Sequence, residues 1–470
     1  MEGMKITEPL FAREIYARRR EALRKAVGAG LLLFLGNEES PINYAANQYP
    51  FRQDSSFLYY WGLSSPGLAA TLDVEEGTET LFGDDPTVAD IVWTGPQPLL
   101  RDRAEAVGVG QARPMSDLKE QIMAAVRRGR AARYLPPYRA ENVLKIERLL
   151  GIHPAFVKEH ASLKFIKAVA AQRSIKGPEE IEQIERAVNI TVEMQTHAMK
   201  TGRAGLYERE VAAAIHGIAL ARGGNLAFPI IFSIHGETLH NHGHGNLMKD
   251  GNIVVNDCGA ESELGYAGDL TRTFPVSGRF TERQKLIYSI VLEAQEKAMA
   301  AIKPGLPFRE AHLLACRTLA AGLKQLGLMR GDVDEAVAAG AHAMFFQCGL
   351  GHMMGLDVHD MEDLGEEHVG YEGTARNPQF GICYLRLARP LRAGFVATVE
   401  PGIYFIPELM DQWKAERRHE EFLNYEAIEK FRDFGGMRVE DDVLVTETGC
   451  RVLGKRAPLT IAEVEAACAG

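Results

Sequence analysis

The chain has 470 residues, 46% hydrophobic and 25% charged, an ordinary globular composition with enough length for about two or three domains. Its 63 acidic residues outnumber 53 basic ones for a net charge of −10, and no local basic stripe offsets that excess, which argues against a nucleic-acid partner. The longest apolar runs, such as residues 31–35, fall far short of the ~20 residues that span a bilayer, which argues against a membrane span.

The N-terminal 20 residues carry Glu2, Lys5, Glu8, Arg13, Glu14 and the run Arg18-Arg19-Arg20 without an apolar core, so no secretory signal is expected there. Residues 12–26 read as a helix that leads into the apolar run 31–35, and residues 124–132 are basic and helical in composition. This alternation predicts an α/β domain over residues 1–165. Within it, residues 49–62 are dense in aromatics: Tyr49, Phe51, Phe57, Tyr59, Tyr60 and Trp61. Core packing is the plain reading of that stretch; a lid or subunit contact near an active site is the sharper one. Residues 173–180 read as a helix start, with Pro178 suited to a first turn and Glu179 and Glu180 complementing the helix N-terminus. Ile181, Ile184, Val188 and Val192 then follow at helical spacing. The domain boundary is expected between 160 and 175, and residues 166–470 form one larger domain of helices and strands without repeats or a long linker. The six cysteines lie far apart with no CxxC pair, a reduced pattern that places the protein in the cytoplasm.

Five pieces of the second domain bear acidic or imidazole groups. The strand-like run from Asn252 ends in Asp257, and 12 residues later Asp269 follows a glycine-rich turn. Strand, turn and strand make a hairpin that can set the two carboxylates side by side, where mutual repulsion calls for a cation; solvated turn aspartates are the plain alternative. His352 and His359 stand seven apart among Gly349, Gly351 and Gly355, too many glycines for a regular helix but enough for close backbone approach. A lone histidine is usually structural, and two among glycines are less so. The strand run from Phe395 ends in Glu400 just before Pro401-Gly402, where a carboxylate would be nearly buried and in need of a partner. Strand alternation puts Arg438 and Glu440 on one face, as an edge-strand salt bridge or as part of a site. Upstream, His240, His242 and His244 suit metal binding or a loop lining a pocket. Four carboxylates and one imidazole cannot share a dry site without positive charge, and two divalent ions would balance them; such ligation suits Mn, Co or Zn. Spacing alone does not say that these five residues converge.

The chain resembles the creatinase/aminopeptidase P/prolidase family of pita-bread metallopeptidases over nearly its whole length. The aromatic stretch 49–62 is similar to the family's N-terminal domain motif, and the segments around Asp257, Asp269, His352, Glu400 and Glu440 match its five metal-ligand positions in order and in local sequence. The resemblance implies a creatinase-like α/β N-terminal domain and an α+β pita-bread catalytic domain. It implies that Asp257 chelates one metal, that Asp269 and Glu440 bridge both, and that His352 and Glu400 complete the other shell, with Glu400 also shuttling a proton. His240, 17 residues before Asp257, resembles the upstream pocket histidine, His359 the histidine that bonds substrate or tetrahedral intermediate, and Arg438 the arginine that braces the glutamate strand. The implied activity is hydrolysis of the Xaa-Pro bond at peptide N-termini by a metal-bridging hydroxide, with manganese foremost and cobalt or zinc as alternatives. The implied assembly is a homodimer or homotetramer.

Two features depart from the family pattern. Cys348 stands where the family usually has a histidine, four residues before the ligand histidine, and the connection from Asp257 to Asp269 is one residue longer than usual, an outward bulge being expected within residues 261–264. The choice between aminopeptidase P and prolidase divides the sequence. Arg386, after a long insertion from Asp363 to Cys383, matches the arginine that clamps a dipeptide carboxylate in prolidases, a bidentate task suited to arginine. The stretches 240–244 and 49–62 are more similar to aminopeptidase P, and the expectation leans that way. A non-catalytic pita-bread binding protein and a metal-free creatinase-like hydrolase are the other classes; neither would need all five ligand positions filled.

Overall fold

The computed structural model describes residues 9–469; the expectation that the N-terminus carries no secretory signal falls partly on residues outside that range. The chain divides into two compact units, residues 1–173 with 362–368, and residues 174–361 with 369–470. The division lies at the end of the helix Leu163–Ser174.

In the first unit, the helix Arg13–Val27 buries Tyr16, Arg19, Arg20, Leu23 and Val27, one face at three- and four-residue spacing, and stops at Gly28, whose φ of 74° returns its N–H to Arg24. A five-stranded mixed sheet holds Leu31–Leu35 antiparallel to Ala69–Asp73 and parallel to Ala132–Tyr134. The helix expected over 124–132 lies earlier: it spans Leu118–Arg127, and the chain then turns at Gly129 (φ 78°) and enters the sheet at Ala132. Composition suggested one helix; pairing of Ala132 with Leu31 and Tyr134 with Leu33 overrides it. The aromatic stretch resolves as core over its helical part. Asp54 caps the helix Ser55–Trp61, whose Phe57, Tyr59, Tyr60 and Trp61 are buried, and Trp61 meets Phe34 edge-on; Tyr49 alone among its aromatics is exposed.

The second unit is α+β. The helix Pro178–Thr201 begins at the expected proline, where the Glu180 carboxylate accepts the Gly177 N–H at 2.9 Å, and it buries Ile184, Val188 and Met194. It packs on a three-stranded antiparallel sheet with Ile253–Cys258 at the centre, flanked by Leu270–Pro275 and Ile231–Ser233. A second sheet joins Val396–Val399, Asp441–Val445 and Cys450–Val452, and a two-stranded ribbon joins Gly402–Tyr404 to Gly436–Arg438. Helices Glu282–Ala301 and Phe308–Gln325 pack against each other. Among the described residues no helix is long and apolar enough to cross a membrane.

Candidate metal centre

The hairpin forms as its periodicity requires. Asp257 pairs in register with Thr271, and Asp269 ends the connection just before the strand Leu270–Pro275. The connection closes through the bridge Glu261 to Ala267 and a turn in which Ser262 N–H bonds Tyr266 O at 2.8 Å; Glu263 is exposed at its tip. Neither aspartate is solvated: Asp257 is 8% and Asp269 4% exposed. Asp442 fixes Asp269 by accepting its backbone N–H at 2.9 Å.

Glycine brings His352 to the same place. A Cβ on Gly351 would fall 2.0 Å from Thr398 O, so only glycine lets this segment lie against the strand Val396–Val399. The contact is then bonded, His352 N–H to Thr398 Oγ1 at 3.2 Å and Glu400 N–H to Leu350 O at 2.8 Å, which sets His352 and Glu400 together. The His352 Nε2 lies 3.5 Å from Asp269 Oδ2 and 3.7 Å from Glu400 Oε1. Its Nδ1 lies 3.1 Å from Met353 O; a carbonyl only accepts, so Nδ1 carries the proton and the Nε2 lone pair faces the carboxylates.

Glu440 completes the group from the far end of the chain. Its N–H donates to Thr271 O at 3.0 Å, and its Oε2 accepts from Thr271 Oγ1 at 2.6 Å. The edge-strand salt bridge does not form. Arg438 and Glu440 are both buried on one side; Arg438 bonds Thr271 Oγ1 through Nε at 3.1 Å, the Tyr404 hydroxyl at 2.7 Å, and the Asp257 carboxylate.

Burial, reinforced by neighbouring carboxylates, pushes Asp269 and Glu440 well above the usual carboxylate range; burial likewise raises Glu400, against the pull of His352 and Arg438. The two guanidiniums near these groups, Arg438 and Arg386, do not balance four acids. Asp257 Oδ1 and Asp269 Oδ1 are buried with no hydrogen-bond partner, and donor atoms of Asp269, His352 and Glu440 all lie within 4.8 Å of one another. Orphaned oxygens on two carboxylates of one hairpin, with the Glu440 carboxylate and one imidazole nitrogen beside Asp269, form a donor set that fits divalent cations of the Mn, Co or Zn kind.

These five residues line a cavity of 730 Å³ together with His240, His359, Arg386 and Arg438. The His359 ring stands edge-on to that of His352, with centroids 4.4 Å apart. His240 and His242 are exposed at the cavity, but His244 is turned away, its Nε2 bonding Ile230 O at 3.0 Å, so the tract lines the pocket with two of its three rings. Cys348 also lines it, and burial pushes its thiol up to about 12, so it stays neutral. Sequence reasoning missed Thr271, Tyr404 and Asp442, which hold the acids in place, and the buried ion pair Lys176–Asp360 at 2.7 Å, which ties down the residue after His359. Thr271 had a readable signal: two residues beyond Asp269, it shares that aspartate's face of the strand.

Residues 182–447 match metallopeptidase family M24, and residues 16–134 match the aminopeptidase P N-terminal domain. The chain is 32% identical to the human Xaa-Pro dipeptidase, over all of this chain and 95% of the relative, and 33% identical to the Xaa-Pro aminopeptidase of Escherichia coli K12, over 93% of each. Among solved structures it is similar to zinc-substituted E. coli aminopeptidase P in complex with product (TM-score 0.81, 29% identity, 98% of this chain and 99% of the other). It is similar also to Pseudomonas aeruginosa aminopeptidase PepP (TM-score 0.82, 29% identity, 98% of each). Both architecture and sequence thus carry an aminopeptidase P-type N-terminal domain ahead of a catalytic domain, and the chain belongs to metallopeptidase family M24, a metal-dependent hydrolase.

Proposed function

We propose that the protein is a cytoplasmic, Xaa-Pro aminopeptidase-like enzyme that removes the N-terminal residue before a proline and works with two manganese ions. The observation that carries this reading is the convergence of Asp257, Asp269, His352, Glu400 and Glu440 on one wall of a cavity that also presents His240, His359 and Arg386. The five donors would hold the two ions, which supply Lewis acidity toward the scissile carbonyl and lower the pKa of water. Glu400, its carboxyl raised by burial, accepts a proton from the attacking water and returns it to the proline nitrogen. His359 donates to the developing oxyanion, and Arg438 holds Asp257 in place. A proline amide nitrogen has no N–H, so apolar walls such as Phe228, Ile231 and Val358 can select its ring by shape. The non-catalytic reading finds no support in a site with every donor filled.

The dipeptidase reading has one specific observation in its favour: Arg386 lines the same cavity and could clamp a free proline carboxylate. The cavity volume, within the range of about 300–1,000 Å³ typical of small-molecule sites, has room for either substrate length. Ala-Pro and Ala-Pro-Ala assayed at equal enzyme concentration separate the two. Cleavage of both is expected; cleavage of the dipeptide alone would make the protein a dipeptidase. Stripping metal with a chelator should abolish activity, with manganese restoring more than cobalt or zinc. Full turnover by metal-free protein would end the metallopeptidase reading. Assembly as a homodimer or homotetramer belongs to the same proposal, and sedimentation as a monomer alone would remove it.

A further inference from the structure

A second cluster of metal-ligating side chains lies outside the carboxylate centre. His312 and Cys316 are four residues apart on one face of the helix Phe308–Gln325, and His342 sits in the 3-10 turn Ala341–Met344. All three are buried, with at most 3% exposure. Cys316 Sγ lies 3.4 Å from His312 Nε2, and one donor atom from each of the three residues falls within 4.8 Å of the others. A thiol donating to His312 would satisfy that one nitrogen and no more. Among the described residues His312 Nδ1 and both ring nitrogens of His342 are buried without a hydrogen-bond partner. Leaving a buried polar group unpaired costs about 1–3 kcal/mol, and a cation bonded to one nitrogen of each ring would relieve part of that cost.

We propose that His312, Cys316 and His342 bind one monovalent copper ion, as a structural site distinct from the peptidase centre. Soft thiolate ligation selects Cu(I) or zinc, and charge decides between them. On binding, Cys316 releases its thiol proton to solvent; the thiolate cancels the single charge of Cu(I), and two neutral imidazoles complete an uncharged unit suited to a dry interior. Zinc would leave one net positive charge there and, in structural sites, takes four ligands rather than three. Burial keeps both imidazoles in the neutral, ligating form, pulling His312 down to about 3 and His342 to about 4, and it pushes the Cys316 thiol up, so that thiol gives up its proton only as the ion binds. The Phe346 ring lies against His312 with centroids 5.6 Å apart, six residues before His352, so the ion would clamp the segment that leads into the peptidase centre.

The test is anaerobic refolding of the full chain with Cu(I) in competition with a chelator of Cu(I), followed by gel filtration, copper analysis and X-ray absorption. One copper per chain with one sulfur and two nitrogen neighbours is expected. Cys316→Ala should lose that equivalent, while Cys348→Ala should keep it. Because Cys316→Ala can misfold, Cys316→Ser, nearly the same size, is checked by circular dichroism alongside it and should bind no copper while folded. No copper in the wild type, copper retained by folded Cys316→Ser, copper lost from Cys348→Ala, or zinc displacing Cu(I) from the same sulfur and nitrogen neighbours would each overturn the assignment.

Discussion

Asp269→Asn should lower kcat/KM by on the order of 10³-fold or more, because on the proposed reading the centre would lose one of its carboxylate donors and with it several kcal/mol of metal-borne charge stabilisation. The same change should make the metal-stripped protein melt at a higher temperature than the wild type. Asp269 is buried and pressed by Asp257, Asp442 and Glu400, so without a cation its charge is a burden that an amide of the same shape relieves. Stability and activity then move in opposite directions, which simple damage to the fold would not produce. Metal content, kcat/KM and melting of the stripped protein check both halves. Two bound metals with activity within tenfold of wild type would remove Asp269 from the centre.

Arg272→Met should destabilise the chain by about 3–5 kcal/mol, since it strips the partner from a buried ion pair. The Arg272 side chain is fully buried and donates to Asp441 Oδ1 at 2.6 Å, to Glu440 O at 2.7 Å and to Pro458 O at 2.8 Å. Methionine fills much of the space but leaves these acceptors unpaired. Arg279→Met is the matching control. Arg279 reaches Glu465 at 3.7 Å with its side chain 85% exposed, so the change should fall within about 0.5 kcal/mol of wild type. Urea unfolding of both variants measures the difference, and a cost below about 1 kcal/mol for Arg272→Met would mean that Gln295 and Arg456, the other neighbours of Asp441, suffice to carry it.

What the sequence disclosed was mostly local. Pro178 and Glu180 announced a helix start because a cap needs residues a few positions apart. The hairpin that carries Asp257 and Asp269 was readable because strand periodicity and a glycine-rich turn lie within one short segment; that Asp257 pairs with Thr271 was not. Gly349 and Gly351 signalled close backbone approach, though not to what; Leu385 is the answer for the first and Thr398 for the second. What stayed hidden depends on packing between distant segments. Thr271 holds Glu440 across 169 residues and Lys176 meets Asp360 across 184, and no periodic pattern reports such a meeting. The helical reading of 124–132 ran past the true helix end at Arg127 and into Ala132, where basic, alanine-rich composition is overruled by an edge offered by Leu31–Leu35. His244 shares its neighbours' composition yet is turned away by one carbonyl, Ile230 O.

The long separation between the hairpin and Glu440 sets a timetable for biogenesis. On a ribosome adding about 5–20 residues per second, roughly 10–30 s pass between emergence of Asp269 and of Glu440. Until then a nascent chain displays two crowded carboxylates with no lid of later strands over them. Cation capture is therefore among the last acts of maturation, and a chain truncated before residue 440 would leave translation unable to acquire its metals.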